Sequence, residues 1–197
     1  MTFGTGLRPA DGTDAATWLT GALDLRSWTV GGLVPDRFET YVLVEAAPPE
    51  TEDWWAAQRR IVVALADVVT RFTATPDAAW FAVWEGHGFA GGPTDSPAGG
   101  IEQALRAVPR FASPTRAYCL LQGAVADVEH LRWPGEPDRW FRPDLWWPED
   151  RQWFVGTDVD FWCTYVGGSR AMTDALASRF GCGCRTVARD APLPLED

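Results

Sequence analysis

Arg132–Trp153, RWPGEPDRWFRPDLWWPEDRQW, holds five of the chain's twelve tryptophans in twenty-two residues, interleaved with four prolines, four arginines and five carboxylates. Neither a helical nor a strand period runs through it. A stretch this long without a period marks a functional loop or disorder, and its aromatic load argues against disorder. The expectation is an ordered Trp/Pro-rich loop over residues 132–152, draped over a core. Its indoles either cover the edge of a sheet or, because Trp and Arg dominate binding hot spots, offer Trp133, Trp140, Trp146 and Trp147 to a ligand or partner.

The stretch runs into the clearest period-two signal of the chain. From Trp153 the odd positions read Trp153, Val155, Thr157, Val159, Phe161, Cys163 and Tyr165, and the even ones include Asp158, Asp160 and Trp162. The odd face is read as core. Gly156 marks a candidate bend that would split the run and flip the register beyond it. Further on, Ser169 is placed to cap a helix with Met172, Ala175, Leu176 and Phe180 as its buried stripe and Gly181 as its stop. CRTVAR suits an edge strand, and residues 190–197 a polar tail.

Upstream, Phe38–Ala46 reads as a strand bounded by prolines. Trp54, Trp55, Ile61, Leu65, Val68 and Phe72 recur at helical spacing, behind Thr51, Glu52 and Asp53 at the end where acids suit the dipole. AWFAVWE, Ala79–Glu85, is apolar on both faces and is therefore expected near the centre of a sheet covered on each side. A weaker helix is expected near Ile101–Val108, a third apolar strand in RAYCLLQG, and short helices in ATWLTGAL and AVADVEHL. These elements give a single α+β domain spanning 1–197, with helices packed on one mixed or mainly antiparallel sheet. A flavodoxin-like α/β sheet is the alternative, although no phosphate-binding fingerprint follows any strand.

The chain has 197 residues, 46% of them hydrophobic, enough to bury a core without metals or disulfides. Its formal net charge of −10 opposes phosphate backbones and anionic membranes. No apolar run has the length of a membrane span, and the first residues lack a secretory signal pattern. The expectations are a cytoplasmic protein and neither nucleic acid nor membrane as partner. Of the four cysteines, Cys182 and Cys184 form C-x-C, which is no zinc spacing. Cys119 and Cys163 lie in apolar runs and are read as buried free thiols. No metal and no cofactor is implied.

Candidate chemistry is sparse. Asp158 and Asp160, two residues apart on a strand, would stand roughly 6.5 to 7 Å apart. They form a carboxylate pair able to hold a cation or divide into acid and base, with Trp162 as a neighbouring wall. Glu85 and His87 stand where a strand enters a glycine-rich loop. His130 could in principle pair with Cys119, but a core thiol is the better reading. Gly167, Gly168 and Ser169 read as a turn and cap.

The phrases DLWWPEDRQWFVGTDVDFWCTYVGGSRAMTDAL, AWFAVWEGHGF, RAYCLLQGAV and VGGLVPDRFETYVLVE, spanning Val30 to about Leu176, resemble a tryptophan-rich family of hypothetical proteins from high-GC bacteria. That resemblance implies a single cytosolic domain and no established activity, cofactor or catalytic residue. The C-x-C pair is not part of the pattern.

With no complete catalytic motif, the expected function is protein binding, of a regulatory or immunity type, through an acidic Trp-rich surface. The alternative is a small-molecule binder or enzyme, with a Trp-lined pocket beside the carboxylate pair and a cationic or aromatic ligand.

Overall fold

The computed structural model describes residues 3–45, 53–87, 108–133, 136–159 and 163–194. In chain order the elements are β1 (Arg8–Pro9), α1 (Val30–Leu33), β2 (Thr40–Glu45), α2 (Trp54–Val69), β3 (Ala79–Trp84), β4 (Arg110–Ala112), β5 (Ala117–Gly123), β6 (Arg132–Trp133) and β7 (Glu136–Trp140). They continue with β8 (Leu145–Pro148), β9 (Phe154–Gly156), β10 (Cys163–Gly168), α3 (Arg170–Phe180) and β11 (Cys184–Val187). Nine strands form one sheet in the order β1-β5-β3-β8-β9-β10-β2-β11, with β4 sharing the outer edge of β5. Every described pairing is antiparallel. The fold is α+β with a mainly antiparallel sheet, as read, and the flavodoxin-like alternative falls.

The sheet has a core on each face. On one, α2 and α3 pack through Ile61, Leu65, Val69, Met172 and Leu176 against Phe81, Trp146, Val155 and Val166. On the other, the N-terminal short helices bring Ala16, Leu19, Leu25, Val30 and Leu33 onto Ala82, Leu120, Trp147, Phe154 and Tyr165. The helix of ATWLTGAL is a 3₁₀ turn over Asp14–Leu19, and that of AVADVEHL is another over Val125–His130. Asp53 caps α2 by accepting from Ala56 N, and Ser169 caps α3 by accepting from Met172 N. Gly181 follows α3 with φ +58°, where a side chain would be strained. Thr51, Glu52 and most of the Ile101–Val108 helix lie outside the described residues.

The tryptophan stretch departs from its expected form. It is not one loop: β6, β7 and β8 lie within it, β6 pairs with β7, and β8 sits inside the large sheet between β3 and β9. Because successive side chains of a strand point to opposite faces, Trp146 enters the helix-side core and Trp147 the other. Trp146 stacks on Phe81 at 6.2 Å, and Trp147 stacks on Phe154 at 5.7 Å. Prolines did not prevent β8 from forming, because Pro143 precedes it and Pro148 ends it, positions where a missing N–H is tolerated.

The run from Trp153 is likewise corrected. It is two strands, β9 and β10, which pair antiparallel from Tyr165↔Gly156 to Gly167↔Phe154. Both faces are covered, so even-numbered Phe154 and Thr164 are as buried as Val155. The parity of the helix-side face changes from Val155 to Val166, the register flip that a break near Gly156 allows. A Cβ on Gly156 would stand 3.0 Å from the Leu33 carbonyl, so α1 packs directly over this position. The polar tail is also partly anchored: Leu193 is buried and its N–H donates to the Trp28 carbonyl at 2.9 Å.

All four cysteines are free, with only Cys182 exposed. Burial pushes the thiols of Cys119, Cys163 and Cys184 up, with Arg110 partly opposing the rise at Cys119. A thiol that is both buried and protonated reacts slowly. A chromogenic disulfide reagent at pH 8 is therefore expected to titrate one thiol per native chain and four after denaturation. Rapid reaction of two or more native thiols would contradict the buried placement.

Candidate functional site

Antiparallel pairing brings the C-terminal ends of β3 and β9 beside the N-terminal ends of β5 and β8. The registers Trp84↔Tyr118, Ala82↔Leu145 and Leu145↔Gly156 fix this alignment. The residues just beyond those strand ends gather at one end of the sheet, beneath the first turns of α2.

Asp144 is the hinge of the group. Its N–H donates to the Ala82 carbonyl and its own carbonyl accepts from Thr157 N, so the backbone bridges β3 and β9. Its carboxylate accepts from Trp84 N at 2.7 Å and lies 3.0 and 3.1 Å from Nε2 of His87. A carboxylate can only accept, so Nε2 is the donor in this pair. The His87 ring also meets the Trp84 indole edge-on at 5.5 Å. A carboxylate-oriented imidazole is the arrangement used for general acid–base work.

Asp158 is buried and paired with Arg116 Nη2 at 2.7 Å, and the Arg116 guanidinium lies over the Trp84 ring at 4.1 Å. Arg142 joins this group to α2. Its Nη2 donates to the Asp158 carbonyl and its Nη1 to Oε1 of Gln58, both at 2.8 Å. Burial pushes the Arg142 guanidinium below the usual arginine range, while Asp144 and Asp158 act in the opposite sense. Gln58 is 1% exposed, and its Nε2 has no hydrogen-bond partner among the described residues. Arg142 sets the orientation of this amide, because only the oxygen can accept from a guanidinium.

Trp54, Trp55, Trp133 and Phe141 wall a cleft of about 210 Å³ that Gln58, His87 and Arg142 also line. A larger open groove of about 960 Å³ runs along α2 past Trp55, Arg59, Asp67 and Arg179. Its acids and arginines face one another, with Arg59 and Glu129 4.0 Å apart. Gln58, whose amide nitrogen is buried without a partner among the described residues, and His87, oriented by Asp144, both line the smaller cleft.

The expected site residues divide accordingly. His87 and Trp133 line the cleft. Glu85 is ion-paired with Arg110 and is not among the residues that line it. Asp158 supports Arg142 through its backbone and Arg116 through its carboxylate; it follows β9 rather than lying on a strand face. Asp160 and Trp162 lie outside the described residues. Trp140, Trp146 and Trp147 are buried, with Trp140 Nε1 donating to the Val128 carbonyl, although Trp140 also lines the larger groove along α2. Among the described residues no cluster of three His, Cys, Asp or Glu side chains is arranged for a metal ion, and no helix is long and apolar enough to cross a membrane.

Gln58, Arg142 and Asp144 were not legible as site residues. Gln58 carried a signal: it falls on the stripe of Trp54, Ile61 and Leu65, where a polar residue interrupts an apolar face. Arg142 and Asp144 were hidden inside the proline-flanked segment. No family model, curated protein or solved structure matches the chain.

Proposed function

We propose that this protein binds a small organic ligand in the cleft walled by Trp54, Trp55, Trp133 and Phe141, with the His87–Asp144 pair available for proton transfer at its border. The observation that carries the reading is Gln58: its buried Nε2 has no partner among the described residues, and leaving such a donor unmet costs about 1 to 3 kcal/mol. A ligand acceptor would meet it. The volume of about 210 Å³ lies below the range of roughly 300 to 1,000 Å³ common for drug-sized ligands, which favours a molecule of about one ring. Four free cysteines suit a reducing compartment, in keeping with a cytoplasmic protein.

A protein-docking face built from the tryptophan stretch has less support. It needs the indoles outside, whereas Trp140, Trp146, Trp147 and Trp153 are all buried.

Thermal-shift and tryptophan-emission measurements with a panel of small acids, bases and neutral compounds test the proposal. A cleft ligand at a hundredfold excess over its Kd is expected to raise Tm by about 5 to 10 °C and to alter emission. The compound should lose its effect in Phe141→Ala. A panel with no active member, alongside a protein partner captured at moderate salt, would overturn the reading.

A further inference from the structure

From the charges that border the cleft, and resting on the reading of it as a ligand site, we infer that the ligand is a single-ring carboxylic acid, its carboxylate held by Gln58 Nε2 and Arg142 and its ring lying among the indoles. The partners of Arg142 decide the class. At this end of the sheet Asp158 is paired with Arg116 and Glu85 with Arg110, while Asp144 accepts from His87, whose ring carries a charge only when protonated. Arg142 differs from them: its hydrogen bonds run to two neutral acceptors, the Gln58 side chain and the Asp158 carbonyl. Among the described residues no carboxylate contacts it.

Holding a guanidinium in a partly buried position without a directly contacting anion is unfavourable, and a guanidinium matches a planar carboxylate better than any other common group. The unmet amide nitrogen belongs to the same Gln58 side chain whose oxygen Arg142 holds, and both residues line the cleft, so the proposal seats one carboxylate between them. A cationic ligand would meet the guanidinium repulsively and leave the amide donor unmatched. The remainder of the wall, Trp54, Trp133 and Phe141, is aromatic, which suits the face or edge of a ring. The cleft volume limits that ring to one with a short substituent.

Calorimetric titration of the full chain with benzoate, benzyl alcohol and benzylamine tests the class. Benzoate is expected to bind at least tenfold more tightly than either of the others. Gln58→Glu keeps an oxygen acceptor for Arg142 while removing the amide donor and supplying the missing negative charge. That variant should fold with unchanged or higher Tm and lose benzoate affinity by about ten- to hundredfold. Gln58→Met, which removes donor and acceptor together, should lose it as well.

Tighter binding of benzylamine or benzyl alcohol than of benzoate would overturn the carboxylate class while leaving the cleft a ligand site. Undiminished benzoate binding in a folded Gln58→Glu variant would overturn the placement of the carboxylate. Failure of all three probes together with an inactive compound panel would overturn both the class and the ligand-site reading.

Discussion

Replacing Trp147 with alanine is expected to destabilise the fold by about 3 to 5 kcal/mol, the range for truncating a fully buried large aromatic. Trp147 is 0% exposed and lies in the central strand β8. Its ring stacks on Phe154 and meets Trp18 and Phe111 edge-on, at 6.0 and 6.3 Å. Removing the indole would open a cavity bordered by residues from β4, β9 and an N-terminal 3₁₀ turn, which cannot all collapse inward together. Its Nε1 has no acceptor among the described residues, so Trp147→Phe loses no hydrogen bond and is expected to cost within about 1.5 kcal/mol. Trp55→Ala is the control. Trp55 is 45% exposed, and its loss should cost below about 1 kcal/mol. Urea denaturation followed by far-ultraviolet circular dichroism separates these outcomes. A cost below 1 kcal/mol for Trp147→Ala would mean that the indole roofs the sheet from outside.

The second large effect is expected at Asp158. Truncation to alanine removes the carboxylate facing Arg116 and leaves a guanidinium with little access to water, the side chains being 4% and 16% exposed. Breaking such a pair from one side costs about 3 to 5 kcal/mol, whereas replacing both charges with apolar groups is often nearly neutral. Arg116→Met combined with Asp158→Leu should therefore be more stable than Asp158→Ala alone, by about 2 kcal/mol or more. Additive losses in the double variant would show that the pair is not coupled. The sequence pattern cast Asp158 as half of a ligand-facing carboxylate pair. It is engaged with Arg116, so its variants are expected to report on folding first.

What could be read from the chain follows from where each element's information lies. The period of α2 was legible because its apolar residues repeat within one segment, and β3 was legible as central because both of its faces are apolar. The place of β8 was not. Its four residues are too few to establish a period, they are flanked by prolines, and adjacent tryptophans give the same signal whether they fill two cores or coat a surface. Only the pairing of Trp80 with Trp147 and of Phe81 with Trp146 resolves that choice.

The candidate site was visible by its parts and hidden as a whole. His87 stood out at a strand end. Its partner Asp144 lies 57 residues away and is brought to it only by the antiparallel alignment of β3 with β8. Arg142 and Gln58, 84 residues apart, meet for the related reason that α2 crosses above the same end of the sheet. Non-local contacts of this kind depend on sheet order, which periodicity within a segment does not encode.

A crystal of the protein soaked with 4-bromobenzoate tests the central claim most directly, because anomalous scattering locates the bromine independently of the protein coordinates. The expected result is one strong site in the cleft, with the carboxylate within hydrogen-bond distance of Gln58 Nε2 and the Arg142 guanidinium. Bromine bound only in the groove along the outer face of α2, or an empty cleft at saturating ligand, would contradict it.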